Sequence, residues 1–212
     1  MPRVVSLKAN KRTRAVTITF DEGPALELHH DTAAEFSLHE GDELDETRLQ
    51  EIVRRDGAVR CRAAAWRLLS IRPRSRRELE TALRQRRFLR TDIEAVLTDL
   101  GERQFVDDSE FARQFVENRV RRRQGGRLIA QELRHKGVAD ADARPHLEGA
   151  RDSDRDRETM RELLTRWNRR SKPEDPRKRA AAAAAFLARR GFDSQLVWEA
   201  VRAFFRQAEL ED

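Results

Sequence analysis

Only one cysteine, Cys61, occurs in the 212 residues. One thiol cannot close an internal disulfide, which excludes a disulfide scaffold and points to a reducing compartment. Cys61 stands between Ala58 and Ala65 on an apolar helical face, so a packed thiol is expected rather than a reactive one. Tyrosine is absent, and the phenylalanines and tryptophans fall on apolar faces, which argues against base-stacking platforms. No stretch approaches the roughly 18 apolar residues of a membrane-spanning helix. Met1-Pro-Arg3 is not followed by an apolar stretch of signal-peptide length. A soluble, cytoplasmic protein without a membrane partner is expected.

Recognisable catalytic chemistry is missing as well. The histidines are His29, His30, His39, His135 and His146, and none pairs with cysteine or carboxylate at metal-ligand spacing. Gly125-Gly126 lacks the lysine and the preceding strand of a phosphate-binding loop. Asp107-Asp108 could suggest a metal or acid–base pair, but a helix N-terminus that favours negative charge accounts for it more simply. The chain therefore reads as a non-enzyme without metal or cofactor.

What is present is charge. Asp, Glu, Lys and Arg make up 39% of the chain and apolar residues 38%, a balance that suits thin helical layers better than one large core. The net charge is +6 and the sequence pI about 10.3. Such a balance favours an acidic partner, usually nucleic acid or a nucleoprotein, over the alternative of a merely solvated basic surface. Residues 1–44 differ from the rest, with five basic residues against eight acidic, a balance of −3 that leaves +9 for the remainder.

The helical part repeats itself. Leu83-Arg-Gln-Arg-Arg-Phe88 returns as Leu133-Arg-His-Lys-Gly-Val138 and as Leu187-Ala-Arg-Arg-Gly-Phe192, the leucines 50 and 54 residues apart. Leu79, Ile129 and Ala183 precede the three leucines by four residues. Ile93, Ala143 and Val197 follow the closing apolar residues by five, and Leu97, Leu147 and Val201 by nine. Leu100, Ala150 and Phe204 follow by twelve. Self-similarity at a near-fixed period marks a repeated supersecondary unit, and apolar steps of three and four residues are helical. The expected fold is mainly α: tandem three-helix units forming an elongated curved array, preceded by a small N-terminal antiparallel β-sheet.

In order, Val4–Leu7 and Ala15–Phe20 read as strands, Asp21–Pro24 as a turn, Leu26 and Leu28 as a third strand, and Phe36 with Leu38 as a last short one. Asp45 is a candidate N-cap for a helix carrying Leu49, Ile52 and Val53. Gly57 interrupts that pattern, and Arg72-Pro73 ends the next helix. Ser75-Arg-Arg-Glu78 and Thr91-Asp-Ile-Glu94 read as capping boxes, giving a first unit of helices near 57–72, 76–87 and 92–103. Asp107 opens the second unit, Gly125-Gly126 stops its first helix, and Gly137 suits the left-handed residue beyond its second. Pro145 argues for a late start or a kink in the third. The last unit opens near Ser153, with Met160, Leu163, Leu164 and Trp167 on one face. A loop over Ser171–Pro176 leads to a helix with six alanines, Ala180–Ala185, closed by Gly191; Asp193 then caps a helix packed through Val197, Ala200, Val201, Phe204 and Phe205. The expected segments are 1–44, 45–106, 107–152 and 153–212.

Basic residues gather at the ends and outer face of the second helix of each unit. The first cluster contains Arg72, Arg74, Arg76, Arg77, Arg84, Arg86 and Arg87. The second contains Arg119, Arg121, Arg122, Arg123, Arg127, Arg134 and Lys136. The third contains Arg169, Arg170, Lys172, Arg177, Lys178, Arg179, Arg189 and Arg190. Arginine's planar fork suits carboxylate and phosphate better than a lysine point charge. If the units stack regularly, the clusters line one side of an array, a surface that suits a long repetitive partner.

From about Ala58 to Phe204 the chain resembles the RecX family of bacterial regulators of the RecA recombinase. The resemblance is carried by Arg72-Pro-Arg-Ser75 with Glu78-Leu79, by Phe105-Val-Asp-Asp108 with Phe111-Ala112, by Leu133–Gly137 and by Leu187–Phe192. Arg86-Arg87-Phe88 departs from the family pattern, in which a glycine is typical before the aromatic residue; this leaves open a different closure of that helix end and a different direction for its arginines. The N-terminal sheet looks like an extension found in some members. The resemblance implies tandem three-helix units and a non-enzymatic monomer that lodges along the groove of the RecA–DNA filament. It further implies restraint of ATP hydrolysis, filament extension and strand exchange, with weak non-specific DNA binding beside it. The basic clusters themselves supply the candidate contacts to filament or DNA: Arg72, Arg74, Arg76, Arg86, Arg87, Arg121, Arg122, Arg123, Arg127, Arg134, Lys136, Arg177, Lys178, Arg189 and Arg190. The alternatives are a sequence-tolerant DNA-binding protein or transcription regulator, and a plain helical scaffold for another protein.

Overall fold

Alternation of apolar and polar residues builds the N-terminal sheet. In the computed structural model, which describes residues 1–150, 152–169 and 175–211, β1 (Val4–Asn10), β2 (Ala15–Phe20) and β3 (Leu26–His29) pair antiparallel in chain order. Leu7 stands opposite Ile18, and Val16 opposite Leu28. The period of two sends Val16, Ile18 and Leu28 to one face, where they are buried. The chain divides into two units, Met1–Arg74 with Glu78–Val106, and Ser75–Arg77 with Asp107–Asp212.

In the first unit the expected strand at Phe36 and Leu38 is instead the end of a short helix, α1 (His30–Glu35). The Phe36 amide donates to the Thr32 carbonyl and that of Leu38 to Ala33, with Ser37 in the left-handed region at φ 50°. Those amides close a helix and have none left for a sheet ladder. Next comes α2 (Glu46–Ile71), whose Asp45 N-cap accepts from the amide of Arg48. The helix does not break at Gly57. A side chain there would press on the Asp92 carboxylate of α4 (Arg90–Glu102), so the close approach of the two helices outweighs glycine's roughly 1 kcal/mol penalty in a helix interior.

α2 serves two cores. Its first half sends Leu49 and the fully buried Ile52 against the sheet. Its buried Asp56 accepts the amide of His29 at 2.6 Å and pairs with Arg60. Its second half places Cys61, Ala65 and Leu68 against Leu79 and Leu83 of α3 (Arg76–Gln85) and against Ile93, Val96, Leu97 and Leu100 of α4. Arg72, extended before Pro73, ends α2 as expected. Helix α4 starts at Arg90, two residues earlier than a box at Thr91 requires; its N-cap is Leu89, which makes no side-chain cap bond. Thr91 thus lies inside the first turn, where its hydroxyl cannot act as the cap.

The second unit holds two more three-helix layers: α5 (Asp108–Arg121), α6 (Gly126–His135) and α7 (Asp140–Gly149), then α8 (Ser153–Asn168), α9 (Pro176–Arg189) and α10 (Ser194–Glu211). Asp107, Asp152 and Asp175 cap α5, α8 and α9 by accepting backbone amides. Asp193 accepts the amide of Gln195 at the start of α10. Helix α5 ends at Arg121, before the glycine pair, and Gly125 instead caps α6. Helix α7 begins at Asp140 and runs through Pro145 without the late start. Residues 171–174 of the expected loop, which include Lys172, and Arg170 before it lie outside the described residues; Asp175 and Pro176 already belong to the start of α9.

The repeat register is borne out. Leu83, Leu133 and Leu187 are all fully buried, as are Leu79, Ile129 and Ala183, within 1%. All three second helices close alike. Arg87, Gly137 and Gly191 adopt φ of 63°, 76° and 84° and donate to the carbonyls of Arg84, Arg134 and Ala188. The departure at Arg86-Arg87 therefore changes the residue and leaves the closure intact.

Candidate functional site

Helix ends explain much of where the arginines lie. The C-caps of the first helices in the three layers are Arg72, Arg122 and Arg169, and those of α6 and α9 are Lys136 and Arg190. A cation at a helix C-terminus is favoured by the unpaired carbonyls there, on the order of 0.3–1 kcal/mol.

In the first unit, Arg72 is tied to Glu78 at 3.0 Å. Arg74 is half-buried and its Nε donates to the Leu68 carbonyl. Burial, then the positive charge of Arg72, push its pKa down against the opposing Glu78 carboxylate, with a smaller push from Arg86. Arg86 also donates to the Ala82 carbonyl, and Arg87 is exposed.

In the second unit, the Arg76 amide donates to Asp108 Oδ1 and the Ser75 hydroxyl to the Lys136 carbonyl. Asp107-Asp108 is thus accounted for by capping, one aspartate taking α5 amides and the other the amide of Arg76. Burial pushes the Asp108 carboxyl up. Several expected contact residues are neutralised internally: Arg121 lies 3.7 Å from Glu117, Arg123 2.6 Å from Glu162, and Arg127 2.5 Å from Asp193. Lys136 stands over the Phe115 ring and Arg190 over that of Phe186. Arg122, Arg134, Arg177, Lys178 and Arg189 are exposed.

A cleft of about 690 Å³ gathers Arg122, Arg123 and Arg190 with Arg166 and Arg169 around Leu163, Trp167 and Phe186. Arg134, Arg177, Lys178 and Arg189 are not among its lining residues. Arg166 escaped sequence reading because it sits within an amphipathic helix rather than in a basic run. The only signal was its place three residues after the core leucine Leu163. A second cavity, about 860 Å³ in the first unit, is lined by both signs of charge, including Arg55 paired to Glu35.

Among the described residues no group of three or more His, Cys, Asp or Glu side chains could hold a metal ion. Cys61 is fully buried, and burial pushes its thiol up to about 11, so it carries no thiolate at neutral pH. Gly125 serves packing: a side chain there would overlap the backbone of Gly191 and Phe192.

Tandem three-helix layers with cations repeated at equivalent helix ends define a helical repeat protein with a basic surface. Three family descriptions match in order: RecX first three-helix domain over residues 61–100, second over 107–145 and third over 154–201. The chain belongs to the RecX family of regulatory proteins. It is 36% identical over 149 residues to Regulatory protein RecX of Streptomyces coelicolor, covering 70% of this chain and 79% of that one. It is 39% identical over 152 residues to Regulatory protein RecX of Chromohalobacter salexigens, covering 72% and 93%. A crystal structure of regulatory protein RecX shares the fold with a TM-score of 0.68 at 24% identity, over 96% of this chain and 100% of the other. No helix among the described residues is long and apolar enough to cross a membrane.

Proposed function

We propose that this chain is a non-enzymatic, monomeric, cytoplasmic regulator that binds the RecA–DNA filament along its groove and restrains ATP hydrolysis, filament extension and strand exchange. The observation that carries this reading is the recurrence of an exposed cation in the last turn of each second helix, Arg84 of α3, Arg134 of α6 and Arg189 of α9, on layers whose cores share one register. An exposed ion pair contributes only about 0–1 kcal/mol. Several such contacts held in one chain gain avidity on the order of 10²–10⁴, provided the partner repeats at a matching spacing. A filament repeats in this way and free RecA does not. Co-sedimentation tests it: the chain should pellet with RecA assembled on DNA and remain in the supernatant with free RecA. Equal recovery on naked DNA would favour a DNA-binding protein instead.

The segments 1–44, 45–106, 107–152 and 153–212 are proposed as its working divisions, with the helical part from Asp45 staying folded without the sheet. A chain beginning at Asp45 loses the sheet that covers Ile52 and the His29 amide that bonds Asp56. Cooperative melting of that shortened chain supports the division, and its loss would make the sheet part of the core.

A further inference from the structure

The arginine-lined cleft in the second unit is a site in its own right. Favourable helix ends explain single arginines at Arg122, Arg169 and Arg190, but not the convergence of five guanidinium groups on one cavity. Like charges brought together over an apolar floor repel one another and are poorly screened there. One carboxylate, Glu162, answers Arg123 at 2.6 Å, and Arg190 is held over Phe186 at 5.0 Å. The side chains of Arg122, Arg166 and Arg169 have no ion pair or hydrogen bond among the described residues, and all three are exposed at the rim. The floor is the buried Leu163 with the stacked pair Trp167 and Phe186, their ring centroids 6.4 Å apart.

We propose that this cleft binds a run of adjacent phosphate groups through its guanidinium forks. Guanidinium forks match pairs of phosphate oxygens and bind them by charge-assisted hydrogen bonds. About 690 Å³ lies within the size of small-ligand sites, roughly 300–1,000 Å³, and holds one nucleotide. The phosphates have two sources of the same chemistry, a free nucleoside triphosphate or the backbone of a single strand. The site does not depend on the filament reading, and its test contains no RecA, so either can fail alone.

The test is calorimetric titration of the full chain with inorganic tripolyphosphate, with ATP and with a short oligothymidylate. Saturable binding at one site per chain is expected, at least tenfold weaker in Arg166→Ala/Arg169→Ala and in Arg122→Ala, and partly retained in Arg166→Lys/Arg169→Lys. Tripolyphosphate should displace whichever source binds. Tighter binding of ATP identifies the free nucleotide as the ligand, and tighter binding of the oligothymidylate identifies the strand backbone. Binding that never saturates, that survives both alanine variants unchanged, or that polyglutamate matches at equal charge would overturn the proposal.

Discussion

The end of α3 carries arginine where the ends of α6 and α9 carry glycine, and all three share one shape. Arg87, Gly137 and Gly191 all sit in the left-handed region with equivalent hydrogen bonds. Around the two glycines, space has run out. A side chain at Gly137 would overlap that of Arg77, and one at Gly191 would overlap the backbone of Leu128, where the Arg127 amide donates to the Gly191 carbonyl at 3.0 Å. Arg87 is exposed. The dihedral angle alone therefore tolerates arginine at a cost, whereas close packing demands glycine. At Gly137 and Gly191 glycine thus answers to contact as well as conformation.

The largest effect should come from Gly191→Ala. It combines a left-handed alanine, about 1–2 kcal/mol, with overlap against backbone that cannot swing away, about 1–3 kcal/mol. A loss of roughly 3 kcal/mol by urea denaturation is expected. Gly137→Ala should cost nearly as much, about 2–3 kcal/mol: the outer part of the Arg77 side chain can rotate aside, but its Cβ, which the new methyl also overlaps, moves only with the backbone. Arg87→Gly should do the opposite and stabilise by about 0.5–1 kcal/mol, the relief of the left-handed arginine less glycine's greater freedom in the unfolded chain. Destabilisation by Arg87→Gly would mean that the arginine makes a contact that offsets its strain.

Two pH effects sharpen the contrast between buried and exposed groups. The Cys61 thiol is raised from its ordinary 9.0 to about 11 by burial. Its contribution to stability is full below pH 9 and is lost as pH rises toward 11, because the unfolded thiol ionises first. Cys61→Ala should flatten that alkaline decline, and native Cys61 should resist iodoacetamide at neutral pH. Glu110 is lowered from 4.5 to about 2 by hydrogen bonds from Arg113 and then Gln114. Its contribution is present above pH 4.5 and is lost as pH falls toward 2. Its side chain is 45% exposed and open to solvent screening, so Glu110→Gln should change the acid side of the stability curve least of all.

Core register was legible in the sequence because burial repeats every three or four residues along a helix. Leu83, Leu133 and Leu187 could be aligned without knowing what they touch. Caps made by side chains were legible where the donor is local, as at Asp45, Asp107 and Asp193. The uninterrupted α2 was not: Gly57 signals a break until Asp92, 35 residues later, is known to press against it. Nor was the arginine cleft, since Arg122 and Arg166, 44 residues apart, come to line one cleft only in the folded chain. The basic clusters were visible, but their division into neutralised and open members was not. Arg123 and Arg127 find their carboxylates 39 and 66 residues away, at Glu162 and Asp193.

The most direct measurement is DNA-dependent ATP hydrolysis by RecA as the chain is added. Inhibition is expected at less than one copy per RecA, weakened far more by charge reversal at Arg134 and Arg189 together than is binding to naked DNA. An ATPase rate left unchanged at concentrations where the chain coats DNA would contradict the filament reading and leave DNA binding in its place.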